Sequence, residues 1–559
     1  MKVVIVGGVA GGASAAARLR RLDEKAQIVM IERSAYVSYA NCGLPYFIGD
    51  VITDRAKLTL QTPKSFLTRF NVDVRVNQEV TAIDRAAKQV TIVNRADGST
   101  YVESYDKLVL SPGAKPVIPN IPIDGGDKLF TLRTVEDTFA IHDYVTAHQP
   151  KTAAIVGGGF IGVEMAENLA ERGIAVALYQ RPAHVLPNLD DDMASFVHAE
   201  MTAKGVELRL GADVKAISDA GESITVADQN GERAFDMAVL AIGVAPESSL
   251  AVQAGLETGV KGAIAVDEHM LTSDPDIYAV GDAVQVKHYV TGTDAHIALA
   301  GPANKQGRIA ADNICGIPST FDGSLGSSVI KVFDLTVASC GLSAKSASAA
   351  GIDFDYVLLS PPSHATYYPG SNVIRMKVLF ENGTGRILGA QAIGKDGVEK
   401  RIDVIATAIH AHMTGHSLAE LDLAYAPPFS SAKDPVNMAG FMISNIVDGL
   451  VKQVHWDRAL NLQENEVLLD VRTPAEREKG CIPGTLHIPV DELRSRLDEL
   501  PKDKSILVHC QSGVRSYIAC RILAQHGFDC TNVAGGWAFY ASIYKNKQQD
   551  GAGKGSCGL

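Results

Sequence analysis

Two of the eight cysteines sit where their neighbours could turn sulfur into a reagent. Cys42 lies in Ser38-Tyr39-Ala40-Asn41-Cys42-Gly43-Leu44-Pro45-Tyr46, and position 47 is Phe, so the loop lacks the second cysteine of a dithiol pair. Any disulfide that Cys42 makes must involve a group outside this loop. The same stretch also suits a small buried cysteine in a turn, the commoner fate of a lone thiol. Cys510 opens Cys510-Gln511-Ser512-Gly513-Val514-Arg515-Ser516, between an expected strand at 505 to 509 and an expected helix. A tight loop of this form gathers backbone N–H groups, a helix N-terminus and Arg515 around the sulfur, favouring a thiolate or an anionic persulfide.

The elements that must position these cysteines begin with a nucleotide-binding unit. Val3 to Val6 reads as a buried parallel strand, and Gly7-Gly8-Val9-Ala10-Gly11-Gly12 turns it into an Ala-rich helix ending near Leu22. The next strand, from Gln27, ends in Glu32, where a dinucleotide fingerprint places a carboxylate for a ribose hydroxyl. Gly7, Gly8, Ala10 and Gly11 let backbone N–H groups approach a pyrophosphate. On the helix, Ser14, Arg18 and Arg21 fall at i, i+4 and i+7, one face that is either solvated or a clamp for an anionic substrate beside Cys42. The fingerprint recurs after Ala153, with Gly157, Gly159 and Gly162 in the three glycine positions and Phe160 and Glu164 starting the following helix. Its second strand ends in Gln180-Arg181, where an NAD-selective site commonly has an acid, so NADPH stays open. Asp282, after the strand and glycine of Ile277 to Gly281, can hydrogen-bond a ribityl or ribose hydroxyl and is a candidate flavin ligand. A helix is expected over Asn304 to Ile314, with strands at Val329 to Ala338 and Arg375 to Phe380 and a helix from about Glu399 to His412.

A chain of 559 residues needs several cores. A net charge of −12 lacks the basic excess that neutralising nucleic-acid phosphates requires. The cysteines at 42, 315, 340, 481, 510, 520, 530 and 557 form no CxxC pair or zinc spacing, so no metal site or disulfide framework is expected, and a reduced, cytoplasmic setting fits. No apolar run is long enough to span a membrane.

Taken together, the sequence resembles the two-dinucleotide flavoprotein disulfide reductases. More narrowly, it resembles the coenzyme A-disulfide reductase branch with a fused rhodanese domain, a group that includes NADH-dependent persulfide reductases. The markers are Ser38-x-x-Asn41-Cys42-Gly43-Leu44-Pro45-Tyr46, the Gly7 to Gly12 loop with its unusual Val9, and, for the rhodanese part, the Cys510 to Arg515 loop with Gly480-x-Ile482-Pro483-Gly484 and Gly535-Gly536-Trp537. Related phosphatases have a loop one residue longer, so the four residues between Cys510 and Arg515 favour sulfane sulfur. The resemblance implies an α/β protein with two doubly wound dinucleotide-binding domains, an α+β dimerisation domain and a C-terminal rhodanese α/β domain. The expected boundaries are 1–112 with 245–322 for FAD, 113–244 for NAD(P)H, 323–450 for dimerisation and 455–550 for rhodanese, with a flexible tail at 551–559.

The resemblance further implies FAD, NAD(P)H with NADH favoured, and coenzyme A as a mixed disulfide on Cys42. Ser14, Arg18, Arg21, Ser38 and Asn41 would contact coenzyme A, although the family's basic residue at position 70 is Phe here and its His at 304 is Asn. A homodimer with shared active sites would bring Tyr367 and Tyr425 to the partner's Cys42 and Lys433 to the flavin. The implied activity is reduction of a small-molecule persulfide, polysulfide or coenzyme A disulfide, with Cys510 and Arg515 handling sulfane sulfur. Two alternatives are an NAD(P)H oxidase or peroxidase cycling Cys42 through a sulfenic acid, and a non-catalytic sulfur carrier or redox sensor.

Overall fold

The structure, a computed structural model, describes residues 1–545 and divides into two compact units: residues 1–185 with 204–326, and residues 186–203 with 327 onward. The expected tail at 551–559, Cys557 in it and the last five residues of the expected rhodanese domain lie outside the described residues.

The first unit contains two five-stranded parallel sheets of the same design. Strands Lys2–Val6 and Thr152–Val156 are apolar on both faces, as strands covered from both sides must be. In the first sheet the order is Ile277–Ala279, Lys107–Leu110, Lys2–Val6, Gln27–Glu32, Asp73–Val76. The strand at 277–279 returns late in the chain and brings Asp282 to the same sheet edge as the first glycine loop. In the second sheet the order is Leu129–Thr131, Met237–Leu240, Thr152–Val156, Ala175–Gln180, Glu207–Leu210. Two antiparallel segments, Ala114–Pro116 and Val244–Pro246, carry the chain between the sheets. The helix expected from Asn304 starts four residues earlier, at Ala300, and packs on the helix Ala10–Leu22. That crossing is tight: a Cβ on Gly307 would lie 2.3 Å from the Gly11 carbonyl oxygen.

The second unit combines the helix Asp191–Ala203, an antiparallel sheet and a parallel sheet. Lys377, almost fully buried, explains why residues 186–203 belong here: its Nζ lies 3.0 Å from Asp190 Oδ2 and 2.9 Å from Asp192 Oδ2. The antiparallel order is Ser328–Val332, Leu335–Gly341, Ile387–Gly394, Arg375–Glu381, Phe354–Leu359. The single strand expected over 329 to 338 is thus a hairpin, turning at Phe333, whose φ of 52° allows the chain to reverse within an otherwise apolar run.

The parallel sheet near the C-terminus has the order Gln453–Val454, Cys530–Val533, Ser505–His509, Glu466–Asp470, Leu486–His487. It is tied to the antiparallel sheet by His455, which stacks on Tyr356 at 3.8 Å and pairs with Asp355 at 2.8 Å. Among the described residues, Cys42, Cys315, Cys340, Cys510, Cys520 and Cys530 carry free thiols. Among the described residues no helix is long and apolar enough to cross a membrane.

Candidate active site

The first glycine loop admits the chain's own backbone and little else. A Cβ on Gly12 would lie 1.9 Å from the Gly7 carbonyl oxygen, and Gly162 stands in the same relation to Gly157, at 1.8 Å. Glu32, nearly buried, accepts from the Gly8 N–H at 2.9 Å and the Ser34 N–H at 3.0 Å. Burial pushes its carboxyl up, with those two N–H groups and Arg33 opposing and Glu136 adding. Across the loop, Gln306 accepts from the Gly281 N–H at 2.8 Å and fixes the turn that carries Asp282.

These groups wall a cavity of about 1130 Å³ that runs from Glu32 past Gly7, Ala10 and Gly11 to Asp282 and Cys42. A buried carboxylate at one end, side-chain-free glycines in the middle and a second carboxylate beyond fit an elongated dinucleotide such as FAD. The same cavity is lined by Ser14, Arg21, Ser38 and Asn41, so the candidate substrate contacts and the cysteine share one space. Ser38 is held at φ 48° because its N–H donates to the Gly8 carbonyl while its own carbonyl accepts from Leu60. Such a conformation costs about 1 kcal/mol or more in a non-glycine residue and recurs at functional loops.

Cys42 sits in the single turn Asn41–Gly43 that leads into the helix Leu44–Ile48. Its thiol is exposed to the cavity, yet the dense walls make burial the first cause pushing its pKa up; the carboxylates of Glu164 and Asp282 add, and Arg133 opposes. Glu164 itself, half-buried and hydrogen-bonded by the Tyr46 hydroxyl at 3.4 Å, is pushed up to about 7, chiefly by desolvation. The loop and the helix Phe160–Glu171 are therefore electrostatically coupled.

The expected clamp face is split. Ser14 donates to Asn304 Oδ1 at 2.6 Å, and Arg21 is exposed at the cavity wall. Arg18 instead gives its Nε to Asp312 Oδ1 at 2.6 Å, so its charge is already partnered. Three side chains that sequence reasoning missed also shape the cavity. Arg133 reaches Asp282 Oδ2 at 3.1 Å and is the cation facing Cys42, Gln306 holds Gly281, and the exposed Arg308 lies along the wall. Thr134-x-x-Asp137, a capping box, was the local sign that Arg133 stands at a helix mouth.

In the second nucleotide loop, Gly158 donates to Gln180 Oε1 at 2.8 Å, and Arg181 is exposed just beyond. Gly157, Gly159 and Gly162 form the turn, with Phe160 and Glu164 on the helix that follows.

The second unit holds the other candidate residues. Tyr367 and Tyr425 share a 2.7 Å hydroxyl contact while 75% and 46% exposed, and Lys433 is exposed nearby in sequence. Both tyrosine loops are anchored by Arg401, fully buried, which donates to the Ser363 carbonyl at 3.0 Å, Ser430 Oγ at 3.1 Å and Asp434 Oδ2 at 3.0 Å. Cys510, 1% exposed, accepts at Sγ from the Gly513 N–H at 3.1 Å, while its carbonyl accepts from Trp537. Gly536 must be glycine because a Cβ there would lie 2.6 Å from the Cys510 carbonyl oxygen. Arg515, expected around the sulfur, gives both its terminal nitrogens to Glu476 instead: Nη1 and Nη2 each donate to it at 2.7 Å, and that pairing draws the Glu476 carboxyl down to about 2.

Comparison with known proteins agrees with this layout. Residues 1–307 match the family described as pyridine nucleotide-disulphide oxidoreductase, and residues 327–435 match that family's dimerisation domain. The chain belongs to the pyridine nucleotide-disulphide oxidoreductase family. Residues 456–542 match the rhodanese-like domain. Among curated oxidoreductases of this family, the coenzyme A disulfide reductase of Staphylococcus haemolyticus is 36% identical over 79% of this chain and 98% of its own length. The crystal structure of reduced Bacillus anthracis CoADR-RHD is 50% identical, covers 98% of both chains and superposes with a TM-score of 0.95. A NAD-dependent persulfide reductase from A. fulgidus is 40% identical, covers 97% of this chain and 100% of its own, and gives a TM-score of 0.91. The resemblance to rhodanese-fused coenzyme A-disulfide reductases therefore holds over nearly the whole chain, and the protein is a flavoprotein oxidoreductase.

Proposed function

We propose that this flavoenzyme reduces the sulfur–sulfur bond of small-molecule persulfides and disulfides through a mixed disulfide between Cys42 and coenzyme A. The observation that carries this reading is the single cysteine in the nucleotide cavity: Cys42 has no partner thiol in its loop, yet shares the cavity with Ser14, Arg21, Ser38 and Asn41. Bound FAD supplies the electron relay from a nicotinamide hydride to sulfur. Glu32 and Asp282 would hold its hydroxyls, with the loop N–H groups on its phosphates. The chain's own task is to hold Cys42 against that relay and to orient the incoming thiol compound.

In the resting state Cys42 is joined to coenzyme A. Two electrons and a proton from NAD(P)H with one further proton cleave that bond, giving the Cys42 thiol and free coenzyme A thiol. The Cys42 thiolate then attacks the inner sulfur of a coenzyme A persulfide, re-forming the mixed disulfide and expelling hydrosulfide. With a coenzyme A disulfide the leaving group is coenzyme A thiolate. Arg133, the cation beside Cys42, favours the thiolate against Glu164 and Asp282. The exposed Tyr367–Tyr425 pair suits proton delivery to the leaving sulfur of a second copy's Cys42, in keeping with the dimerisation-domain match and with the exposed Phe429 in the same loop. Cys510, cradled by Gly513, would carry sulfane sulfur to or from the small-molecule thiol pool.

Cys42→Ser tests the core of this reading. NAD(P)H-driven sulfide release from coenzyme A persulfide must vanish, and intact mass of the wild-type protein must show coenzyme A on Cys42. A single added oxygen there, or sulfide release by the variant, refutes it.

A further inference from the structure

The antiparallel sheet of the second unit turns one face towards the rhodanese-like region. On the edge strand Phe354–Leu359 that face carries Tyr356, stacked on His455, and Leu358, whose Cδ1 would meet a Cβ on Gly535 at 3.0 Å. The Leu358 carbonyl oxygen lies 4.0 Å from where a Cβ on Gly513 would stand, so the strand runs past the loop that cradles Cys510 Sγ. Pairing continues beyond Leu359, since the Ile374 N–H donates to the Pro361 carbonyl at 2.9 Å and Pro362 bridges Val373. In that register Ser360 stands opposite Arg375, on the same face as Leu358 and Lys377.

Neither side chain has a polar partner. Ser360 Oγ is buried without a hydrogen bond. Half-buried Arg375 has no ion pair or side-chain hydrogen bond among the described residues, only the face of the Phe196 ring at 5.4 Å. Phe196 in turn meets Phe539 of the rhodanese-like region at 5.2 Å. The carboxylates of Asp190 and Asp192 are taken by Lys377, and burial alone draws the Arg375 pKa down. A guanidinium with five donors and no acceptor, beside a buried hydroxyl with none, is costly to keep unless an anion completes the pair.

We propose that Ser360 and Arg375 form an oxyanion site beside the Cys510 loop, taking the charged oxygens of a small anionic sulfane-sulfur donor: the sulfonate-like end of thiosulfate or a carboxylate of a thiol persulfide. The inference rests on the reading of Cys510 as the sulfane-sulfur carrier and gives that carrier a donor class. With thiosulfate, the Cys510 thiolate attacks the outer sulfur, a bond from Cys510 to that sulfur forms, the sulfur–sulfur bond of the donor breaks and sulfite leaves. With a persulfide the outer sulfur moves likewise, and the parent thiol leaves with the persulfide proton. Arg375 and Ser360 hold the donor and take no part in the bond changes.

Sulfur transfer from thiosulfate, glutathione persulfide and uncharged hydroxyethyl persulfide to cyanide, by the full-length FAD-loaded enzyme without nicotinamide, tests it. Arg375→Gln should raise KM about tenfold or more for an anionic donor, the order of one lost charge-assisted hydrogen bond, with kcat kept. Ser360→Ala should raise it about threefold. Hydroxyethyl persulfide should be used equally by all forms, and Arg375→Lys should recover part of the loss. A rise for thiosulfate alone or for glutathione persulfide alone supports the site and tells which oxyanion it takes. KM values that Arg375→Gln and Ser360→Ala leave unchanged, or losses equal for charged and uncharged donors, overturn the proposal; the latter would make Arg375 a brace on Phe196. Wild-type enzyme inert with every donor sinks the sulfur-carrying role of Cys510 together with this site, and leaves the reading of Cys42 untouched.

Discussion

Glu164→Gln tests the coupling between the Cys42 loop and the helix Phe160–Glu171. Burial raises the Glu164 carboxyl from the usual 4.5 to about 7, with the Tyr46 hydroxyl opposing and Glu167 adding. A raised folded-state pKa means that the fold prefers the protonated acid. Below pH 4.5 folded and unfolded chains are both protonated and the group is neutral in effect. As pH rises from 4.5 to 7 it turns against the fold, and above 7 the cost levels off. A rise of about 2.5 units at about 1.36 kcal/mol each gives a cost of about 3 kcal/mol. Glutamine keeps an acceptor for the Tyr46 hydroxyl without the charge. The variant should therefore exceed the wild type in urea resistance of the first unit at pH 8 by up to about 3 kcal/mol, and by less than about 1 kcal/mol at pH 5.

A second readout follows from the same contact. The Glu164 charge is the second cause, after burial, of the raised Cys42 thiol. The pH at which iodoacetamide alkylates Cys42 at half-maximal rate should fall in the variant. If stability differences at pH 5 and pH 8 are equal and the alkylation profile does not move, Glu164 does not titrate near neutrality, and the electrostatic coupling is refuted.

Two further outcomes are expected. Arg401→Leu strands the Asp434 carboxylate in a buried site and should cost about 3–5 kcal/mol in a thermal or urea melt, whereas adding Asp434→Leu should recover much of that loss; a single variant as stable as wild type would show that the tyrosine loops do not depend on this anchor. Glu476 has a depressed carboxyl, so its contribution is full above pH 4.5 and is lost as pH falls towards 2, amounting to about 1–2 kcal/mol for a pair this open to solvent. Both tryptophans, Trp456 and Trp537, lie in the rhodanese-like region, so acid unfolding followed by their fluorescence should show Glu476→Gln losing that pH-dependent increment; superimposable acid profiles would count against the Glu476–Arg515 pairing.

Much of the site was legible because its geometry is local. A glycine loop between a buried strand and a helix admits few backbone paths, and the acid or amide that receives its N–H sits a fixed distance on, as Glu32 and Gln180 do. The loop from Cys510 to Arg515 is equally self-contained, since Gly513 and the following helix reach the sulfur within one turn. The apolar run at 329 to 338 shows where local reading fails: alternation and propensity match one strand, and the reversal at Phe333 is imposed by pairing with Ile387–Gly394.

What the sequence determined by itself, then, is the set of reactive sulfurs and the two nucleotide loops, because each is fixed by neighbours a few residues away. Only the tertiary structure decided which charges those groups meet. Arg133 reaches Asp282, in the cavity that Cys42 also lines, Arg18 is claimed by Asp312, Glu476 takes Arg515, and Arg401 ties together loops centred on Ser363 and Ser430. Each of these contacts spans a long stretch of chain, and its existence depends on how strands are ordered in a sheet and helices cross above it. Spacing along the chain carries no record of that order, so the same residues read from sequence alone are as compatible with a solvated surface as with a site.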